Sequence, residues 1–194
     1  MKKIILASKS PRRKELLEKA GFKFEIVESD YKEDMTLNME LTKLAEFLSR
    51  GKAEDVARNH SDSIIIAADT FVTLGHHRLG KPHTPEVAKE TLQKISGQIV
   101  EVITGYTIID TSTKHSISKS VTTKVIFKNF TQEEIDTYIV TGESLDKAGA
   151  FAIQGKGAKL IEKIEGDRDS VIGLPIKSLI KSLDALDALD AKRS

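Results

Sequence analysis

A short apolar run near the amino terminus leads directly into the start of a helix, and this junction constrains the fold more than any other feature. Residues 3–7 are predicted to form a buried strand, Ser10 is placed to cap the next helix, and Pro11 suits its first turn. Helices and strands then alternate along the chain, with no linker rich in proline or serine. The sequence therefore predicts an α/β fold with a mixed sheet.

The remaining elements are predicted from periodicity and from start and stop signals. Strands are expected over 22–26, 63–69, 99–109, 115–127 and 160–164, with the two long strands forming an antiparallel pair. Helices are expected over 11–20, 40–58, 84–97 and 131–142, and from 175 onward. The segments between them are expected to be a polar loop over 31–39, a turn or hairpin over 71–81, and a tight connection with a short strand over 148–157.

Two of these predictions depend on particular residues. Gly51 interrupts the helical pattern of 40–58, which argues against one continuous helix there. Thr131 with Glu134 forms a capping box for the helix that follows them.

The length of 194 residues fits one large domain or one domain with two lobes. Residues 183–194 repeat a Leu-Asp-Ala pattern and are expected to be a frayed terminal helix or tail, with a partner-binding segment as the alternative. Leucines that recur every three residues drift around a helix and form no steady stripe.

Composition excludes several classes of function. The formal net charge of +1 argues against nucleic-acid binding by bulk charge, so any affinity for phosphate must be local. The sequence has no cysteine, which excludes disulfides, zinc–thiolate sites and a cysteine nucleophile and is consistent with the cytoplasm. No apolar run approaches the roughly 20 residues needed to span a bilayer, so no membrane partner is expected.

The first strand–helix junction also carries a concentration of positive charge. Lys9, Arg12, Arg13 and Lys14 lie where a helix N-terminus presents unpaired backbone N–H groups and a partial positive charge. Guanidinium groups add bidentate donors for phosphate oxygens. The segment from Ser8 to Arg13 therefore predicts a site for a polyanion such as a triphosphate.

A second candidate is the carboxylate of Asp69, which follows the apolar strand predicted from residue 63. Ligands bind at strand ends in α/β folds, and a carboxylate there can hold a hard cation or take a proton from water. The alternative is that Asp69 only caps the following turn. The basic junction favours the chemical interpretation, because phosphoryl chemistry needs both cations and a carboxylate.

Other candidates are weaker when taken alone. Lys81 lies between Gly80 and Pro82 and is a candidate phosphate ligand, whereas Lys52 is expected on the solvent face of a helix. Glu33 is either a metal ligand or an ordinary charge in a loop.

Two further segments superficially resemble ligand sites. Adjacent His76 and His77 point to opposite faces of an extended chain and chelate poorly, so they are interpreted as turn residues. Gln154 precedes Gly155-Lys156-Gly157, which lacks Walker A spacing, although its amide has the donor and acceptor needed to recognise a base.

Several separate blocks resemble the Maf-like nucleotide pyrophosphatases, in the order in which that family has them. The opening block is Leu6-Ala7-Ser8-Lys9-Ser10-Pro11-Arg12-Arg13-Lys14-Glu15-Leu16-Leu17. The later blocks are Ala68-Asp69-Thr70, Gly80-Lys81-Pro82, Ser96-Gly97, Thr104-Gly105, Asp146-Lys147-Ala148-Gly149-Ala150 and Gly173-Leu174-Pro175. The similarity covers nearly the whole chain.

This resemblance implies an elongated, two-lobed Maf/inosine-triphosphatase-like fold with a central cleft, formed by a single domain over residues 1–194. It implies hydrolysis of a nucleoside triphosphate to the monophosphate and pyrophosphate with a divalent metal, Mg²⁺ or Mn²⁺. It also admits a homodimer, because members of the family often form dimers, although no apolar stripe in this sequence requires one.

Residue roles follow from the same resemblance. Asp69 matches the family's proton acceptor, and Arg12, Thr70 and Gln154 match positions that select the base in the branch acting on dTTP and UTP. The run from Ala152 to Gly155 is similar to that branch. Residues near the phosphates and the metal are matched by Lys52, Lys81 and Glu33. The expected metal ligands are Asp69 and Glu33, and the expected substrate-binding residues are Ser8, Ser10, Arg12, Arg13, Lys52, Thr70, Lys81 and Gln154.

The chain departs from the family pattern at two places. Phe151 stands where tyrosine is frequent, and Gly166-Asp167-Arg168-Asp169-Ser170 stands where an aromatic residue and an asparagine are usual. Two alternative functions stay open. One is a non-enzymatic regulator of septation that binds a nucleotide or a protein, and the other is a pyrophosphatase for inosine or xanthosine triphosphate.

Overall fold

The computed structural model describes residues 2–34 and 37–191. The strands are β1 (Lys3–Leu6), β2 (Glu25–Ile26), β3 (Ser63–Leu74), β4 (His77–Arg78), β5 (Ile99–Asp110), β6 (Ser116–Phe127) and β7 (Ile161–Glu165). The helices are α1 (Pro11–Lys19), α2 (Leu41–Ala57), α3 (Pro85–Ile95), α4 (Gln132–Val140), α5 (Arg168–Ile172) and α6 (Ile176–Ala191), with 3₁₀ turns at Ala148–Ala150 and Lys156–Leu160. In these ranges no helix is both long and apolar enough to cross a bilayer.

The strands form one 7-stranded mixed sheet in the order β2-β1-β3-β5-β6-β7, with β4 paired to β3. β1 runs parallel to β2 and β3, whereas β3 with β4 and β6 with β7 are antiparallel. Backbone hydrogen bonds from Asp110 to His115 (2.9 Å) and from Phe127 to Gln98 (3.0 Å) close the two ends of the β5–β6 pair. The predicted α/β class with a mixed sheet is confirmed.

The chain divides into two compact units. Unit 1 comprises Met1–Thr70, Thr104–Val121 and Gly173–Ser194, and unit 2 comprises Phe71–Ile103 and Thr122–Ile172. The backbone of β3 passes from unit 1 into unit 2 immediately after Thr70.

In unit 1, α2 packs on one face of the sheet. Its Ala53 and Val56 share a buried cluster with alternate residues of β1 and β3, including Ile5 and Ile65. The opposite face packs against α6, where the Tyr106 hydroxyl makes hydrogen bonds with serine side chains of that helix at 2.7 and 2.9 Å. The two faces of this part of the sheet therefore meet different helices, because strand side chains alternate.

Helix α2 is continuous, so the interruption expected at Gly51 is wrong. A Cβ at this position would lie 2.3 Å from the ring of Tyr31, in the predicted polar loop. The glycine thus makes room for an aromatic ring, and packing explains it better than a helix break does.

Unit 2 has an aromatic cluster centred on Phe127 of β6. The ring of Phe127 meets Phe130 edge-on at 5.8 Å between centroids and Phe151 at 4.9 Å. Phe151 is 4% exposed. Such edge-to-face pairs contribute roughly 0.5–1.5 kcal/mol beyond the area they bury.

The strongest capping signals are confirmed. Glu134 N–H donates to Thr131 Oγ1 (3.2 Å) and Thr131 N–H donates to Glu134 Oε2 (2.8 Å), which is the predicted capping box of α4. Thr84 caps α3 by accepting from the Val87 N–H (3.4 Å). Both caps lie within three residues of their partners, so the sequence contains all the information they need.

The strand predicted over 22–26 is mostly wrong, because only Glu25 and Ile26 are in β2. The N–H of Phe22 donates to the Leu17 carbonyl (3.1 Å) and the N–H of Gly21 to the Glu18 carbonyl (3.0 Å). This is the Schellman arrangement that closes α1, and it uses the backbone of Phe22 before a strand can begin.

The segment around residues 148–173 also differs from its prediction. A short strand was expected within 148–157, but the chain forms two 3₁₀ turns there, with positive φ at Gly149, Ala150 and Gly155. The additional helix α5 follows, and the Asp167 carboxylate caps it by accepting from the N–H groups of Asp169 (2.8 Å) and Ser170 (3.3 Å). A Gly-Asp pair before α5 is the local signal that predicts this helix start.

The carboxy-terminal repeat is helical through Ala191, and Leu186 is 2% exposed. Positions 192–194 of the predicted tail and positions 35 and 36 of the predicted polar loop lie outside the described residues. The division of the chain into a single two-lobed domain with a terminal tail stays a prediction.

Replacement of Gly105 in β5 by alanine is expected to destabilise the protein by about 3 kcal/mol. The new Cβ would lie 2.2 Å from the carbonyl carbon of Ala45 in α2, where only backbone movement relieves the overlap. The measurement is the free energy of unfolding from urea titration. Gly80→Ala is the control, since its Cβ would meet nothing within 4 Å. Equal unfolding midpoints for the two variants would contradict the packing of α2 on β5.

Candidate functional site

The candidate site in unit 1 lies where β1 ends. β1 pairs with β3 as far as Leu6 opposite Ile66, and Ala7 N–H adds a last bond to the Ile66 carbonyl (2.8 Å). β3 continues beyond that point while the chain of β1 turns away into α1. In the sheet, β1 lies between β2 and β3. The chain therefore places its second strand on one side of β1 and then reverses direction across the sheet to place its third strand on the other side. Open α/β sheets bind ligands at the carboxyl end of such a reversal.

Arg13 connects the turn after β1 to two distant segments. Its Nη1 donates to Ser8 Oγ (3.2 Å) and its Nη2 to Thr70 Oγ1 in β3 (3.3 Å). Its Nε donates to the carbonyl of Gly173, ahead of α6 (2.9 Å). Thr70 Oγ1 also makes a hydrogen bond with Thr104 Oγ1 of β5 (2.9 Å). The guanidinium therefore fixes the position of the basic turn relative to β3.

All of these partners of Arg13 are neutral, so its positive charge is not cancelled by a direct ion pair with them. Loss of hydration lowers the pKa of the Arg13 guanidinium from its usual range, and the negative charge of Asp69 opposes that shift. Arginine stays protonated in proteins even so. The site therefore keeps a fixed cation that interacts electrostatically with the carboxylate of Asp69 without a direct contact being formed between the two clusters.

The second cluster joins Lys52 of α2 to two carboxylates. Lys52 Nζ donates to Asp69 Oδ1 at 2.5 Å and lies 2.7 Å from Glu33 Oε1. The side chains of Lys52 and Asp69 are 16% and 11% exposed, whereas that of Glu33 is 37% exposed. Lys52 was expected on the solvent face of a helix when considered alone, and that expectation is wrong. The Lys52 ammonium thus binds two acidic side chains that are far apart in the sequence.

The two clusters lie on opposite faces of β3. Asp69 and Thr70 are consecutive residues of one strand, so their side chains point to opposite sides of the sheet. Asp69 meets Lys52 on the side covered by α2, and Thr70 meets Arg13 on the other. β3 thus presents the carboxylate of Asp69 to α2 on one face and the hydroxyl of Thr70 to Arg13 on the other.

Two sequence-based expectations need correction here. Asp69 does not end its strand, since β3 continues to Leu74, and it does not cap a turn. β1 ends opposite Ile66, three residues before Asp69, so the carboxylate lies on β3 beyond the end of the neighbouring strand. Ser10 precedes α1 but makes no capping hydrogen bond with its side chain. Instead, its own N–H donates to Ser8 Oγ (3.2 Å), so Ser8 provides the oxygen at this helix start.

The other cations of the basic junction differ in their surroundings. Lys9 and Lys14 are exposed and pair with Glu28 (2.5 Å) and Glu18 (3.7 Å). The Glu28 carboxylate raises the pKa of Lys9. Arg12 is half-buried at the second position of α1, beside Arg13. The charge directed at a ligand therefore comes from the two arginines more than from the lysines.

Two carboxylates of the site are the residues that could contribute to a divalent metal shared with a phosphate. Within residues 2–34 and 37–191, no group of three or more acidic or histidine side chains is arranged to hold a metal ion. Asp69 and Glu33 nevertheless meet at the Lys52 ammonium, so two carboxylates approach one position. Mg²⁺ is commonly held by one or two carboxylates together with substrate phosphates and water.

In unit 2, Lys81 is exposed on a segment that the backbone fixes. The carbonyl of Gly80 accepts from Gly149 N–H (3.1 Å), and His83 N–H donates to the Leu145 carbonyl (3.1 Å). The first bond ties the segment around Lys81 to the first 3₁₀ turn, and the second ties it to the stretch before that turn. His76 lies in the turn between β3 and β4, as predicted, whereas His77 begins β4.

Gln154, also in unit 2, is half-buried between the two 3₁₀ turns. The neighbouring carbonyl of Ile153 accepts from Arg168 Nη2 (3.1 Å). Gln154 and Arg168 lie 14 residues apart in sequence, and the contact of Arg168 with the backbone beside Gln154 leaves no signal in residue identity.

Several residues of these networks were not among the predicted site residues. Thr104 and the carbonyl of Gly173 support Arg13, and each belongs to a sequence block that resembles the family. Their position in those blocks is the only signal in the sequence, because a backbone carbonyl leaves no trace in residue identity.

A family model confirms the relationship suggested by these blocks. The model described as "Maf-like protein" matches residues 3–186. The chain belongs to this family.

Curated relatives of this Maf-like protein cover nearly its whole length. It is 50% identical over 177 residues to a protein of Methanococcoides burtonii named dTTP/UTP pyrophosphatase, covering 91% of each chain. A Bacillus cereus (strain G9842) protein of the same name is 48% identical over 187 residues, covering 96% of this chain and 97% of the relative. A Methanosarcina mazei protein of that name is also 48% identical, covering 96% and 95%.

Among solved structures, a nucleoside-triphosphatase, dITP/XTP pyrophosphatase of Mycobacterium abscessus aligns with 96% of this chain and 97% of its own. The sequence identity is 11% and the TM-score is 0.42, a similarity too low to support a conclusion.

Replacement of Lys52 by methionine is expected to lower the free energy of unfolding by about 2 kcal/mol at neutral pH. Methionine keeps the length of the side chain but leaves Asp69 buried beside Glu33 without its cation. Urea titration measures the change. Lys14→Met is the control, because an exposed pair such as Lys14 with Glu18 contributes less than about 0.5 kcal/mol. If both variants lost the same stability, the Lys52 cluster would not be the buried ion pair described above.

Proposed function

We propose that this Maf-like protein is a nucleoside triphosphate pyrophosphatase that hydrolyses dTTP and UTP to the monophosphate and pyrophosphate. Its family membership and the names of relatives at 48–50% identity support this activity. The structural observation that carries the proposal is a buried carboxylate, Asp69, bound by Lys52 at the end of β1 and close to the charge of Arg13. A triphosphate hydrolase needs this combination of base and cations.

The phosphates bind along the turn from Ser8 to Arg13. The N-terminus of α1 adds backbone N–H groups, and Ser10 and Arg12 lie on the same turn. The family resemblance also assigns Lys52 and Lys81 to the phosphates, and both are included in the proposal as phosphate ligands. Arg13 both fixes this turn and contributes charge that its neutral partners do not cancel.

Asp69 acts as the general base. Lys52 contacts its Oδ1, and a carboxylate accepts at both oxygens, so Oδ2 is available to take a proton from water. The oxygen of that water forms a bond to the α-phosphorus, while the bond from the α-phosphorus to the bridging oxygen breaks and pyrophosphate leaves. The proton moves to Asp69, and the products are the nucleoside monophosphate and pyrophosphate.

A divalent cation, Mg²⁺ or Mn²⁺, belongs to the same proposal. Asp69 and Glu33 would hold it, since their oxygens converge and suit a hard cation that also binds phosphate. When bound, it supplies positive charge that polarises the α-phosphate. The Lys52 ammonium keeps the two carboxylates together.

Base selection is assigned to Arg12, Thr70 and Gln154. Gln154 offers an amide that can both donate to and accept from the edge of a base. The hydroxyl of Thr70 is oriented by its hydrogen bonds with Arg13 and Thr104. Substitution of Gln154 is expected to change the choice of base more than the rate with the preferred nucleotide.

The two alternative functions predict different results with a panel of nucleotides. A pyrophosphatase for inosine or xanthosine triphosphate releases pyrophosphate from those substrates in preference to dTTP and UTP. A non-enzymatic septation regulator releases no pyrophosphate from any triphosphate.

Cytoplasmic location and a homodimer are further parts of the proposal. Cell fractionation tests the location, and light scattering of the purified protein tests the homodimer.

Substitution of Asp69 by asparagine is expected to reduce pyrophosphate release from dTTP and UTP by about 10²–10⁴-fold, because asparagine cannot accept the proton. The measurement compares release from the whole nucleotide panel by wild type and variant. Asp184→Asn, at an exposed position of α6, is the matched control and should leave the rate unchanged. A folded Asp69→Asn protein with full activity would exclude this residue as the base.

Removal of divalent cations with EDTA is expected to abolish pyrophosphate release, and Mg²⁺ or Mn²⁺ should restore it. Glu33→Gln should raise the cation concentration needed for half-maximal activity by at least about tenfold, because an amide binds a hard cation more weakly than a carboxylate does. Titration of Mn²⁺ by calorimetry gives the same comparison without turnover. The control is Glu18→Gln on α1, and full activity in EDTA would refute the metal requirement.

A further inference from the structure

The segment that carries Gln154 is held through its backbone by side chains from other parts of unit 2. On the carboxyl side of Gln154, both oxygens of Glu143 accept from main-chain N–H groups: Oε1 from Lys156 (3.3 Å) and Oε2 from Gly157 (2.9 Å). Charge-assisted bonds of this kind are stronger than bonds between neutral groups. A carboxylate that follows α4 thus fixes one side of the glutamine.

The amino-terminal side of Gln154 has two contacts. Ala152 N–H donates to the hydroxyl of Tyr138 in α4 (3.2 Å). The carbonyl of Ile153, directly before Gln154, accepts from Arg168 Nη2 (3.1 Å). None of these contacts uses the side-chain amide of Gln154. The main chain is therefore fixed, while the donor and the acceptor of that side chain remain for another partner.

The residues that provide these contacts are themselves anchored. Thr123 of β6 donates to the carbonyl of Asp167 (3.1 Å) and accepts from its N–H (3.0 Å), which holds the start of α5 and therefore Arg168. The Glu143 carboxylate lies so close to Gly155 that a Cβ there would be 2.1 Å from its Oε1. Burial and the charge of Glu143 raise the pKa of the Tyr138 phenol. The contacts around Gln154 therefore depend on residues of β6 and α4, and not on loop residues alone.

We propose that Arg168 and Glu143 are positioning residues that fix the main chain on either side of Gln154 so that its amide selects the base of the nucleotide. Neither residue contacts the substrate in this account. Fixing a segment before binding removes the entropy cost of ordering it on binding. Arg168 lies within the segment 166–170 that departs from the family pattern.

The inference rests on the proposed function, and a double-mutant cycle tests it. Arg168→Met removes the hydrogen bond to the Ile153 carbonyl while keeping most of the side-chain length. It should lower kcat/KM for dTTP and UTP by about tenfold, mainly through KM, and reduce the preference over GTP. Arg168→Lys, which keeps a charged donor but not the guanidinium geometry, should recover part of both. In a Gln154→Ala background, Arg168→Met should have almost no further effect, because Arg168 acts through Gln154.

Hydrogen exchange provides a readout that needs no turnover. In Arg168→Met and Glu143→Gln, the amides of Ala152, Lys156 and Gly157 should exchange faster than in wild type, with exchange elsewhere unchanged. Lys163→Met is the control, because it removes an exposed pair with Glu165 on β7 and should change neither exchange nor selectivity.

Three results would overturn the inference. They are an unchanged base preference in Arg168→Met, additive effects of Arg168→Met and Gln154→Ala, and unchanged exchange of the 152–157 amides. A wild-type protein that releases no pyrophosphate would instead overturn the proposed function and the base-selecting role with it. The exchange rates would still decide whether Arg168 and Glu143 hold the segment.

Discussion

The candidate site in unit 1 depends on one constraint, which is that β1 is shorter than the strand beside it. Parallel pairing stops at Leu6 opposite Ile66, while β3 continues to Leu74. The chain must fill the space beside β3 with something other than a strand, and the turn into α1 does so. Arg13 secures that turn to partners 57 and 160 residues away in sequence. The start of α1 and its two arginines are thereby held on one face of β3, and the buried carboxylate of Asp69 lies on the other face.

The electrostatics of the site follow from which charges are paired. Lys52 is committed to two carboxylates, whereas Arg13 makes its hydrogen bonds with a carbonyl and two hydroxyls. A cation whose hydrogen-bond partners are neutral is not neutralised by a direct ion pair, and a polyanion is attracted to the field that remains. The overall charge of +1 therefore says little about affinity for phosphate, because the arrangement of charge is what matters.

Sequence predicts this fold best where the causes are local. The capping box at Thr131 and the cap at Thr84 involve partners within three residues, and both are present. The errors arise where distant contacts decide: the ring of Tyr31 explains Gly51, and the helix-closing bonds of Phe22 shorten β2. Asp69 was recognised as a candidate from the sequence, but its place inside β3 depends on strand pairing, which residue identity alone does not reveal.

The alternation of β3 has a consequence for how this protein tolerates change in length. Asp69 faces Lys52 and Thr70 faces Arg13 only because the strand keeps its register. A shift of one residue exchanges the two faces of a strand, so a single insertion or deletion in β3 before Asp69 would turn the carboxylate away from α2 and toward the arginine. A substitution can alter one of these partners at a time. Insertions and deletions, in contrast, are expected to be tolerated only in the loops outside β3.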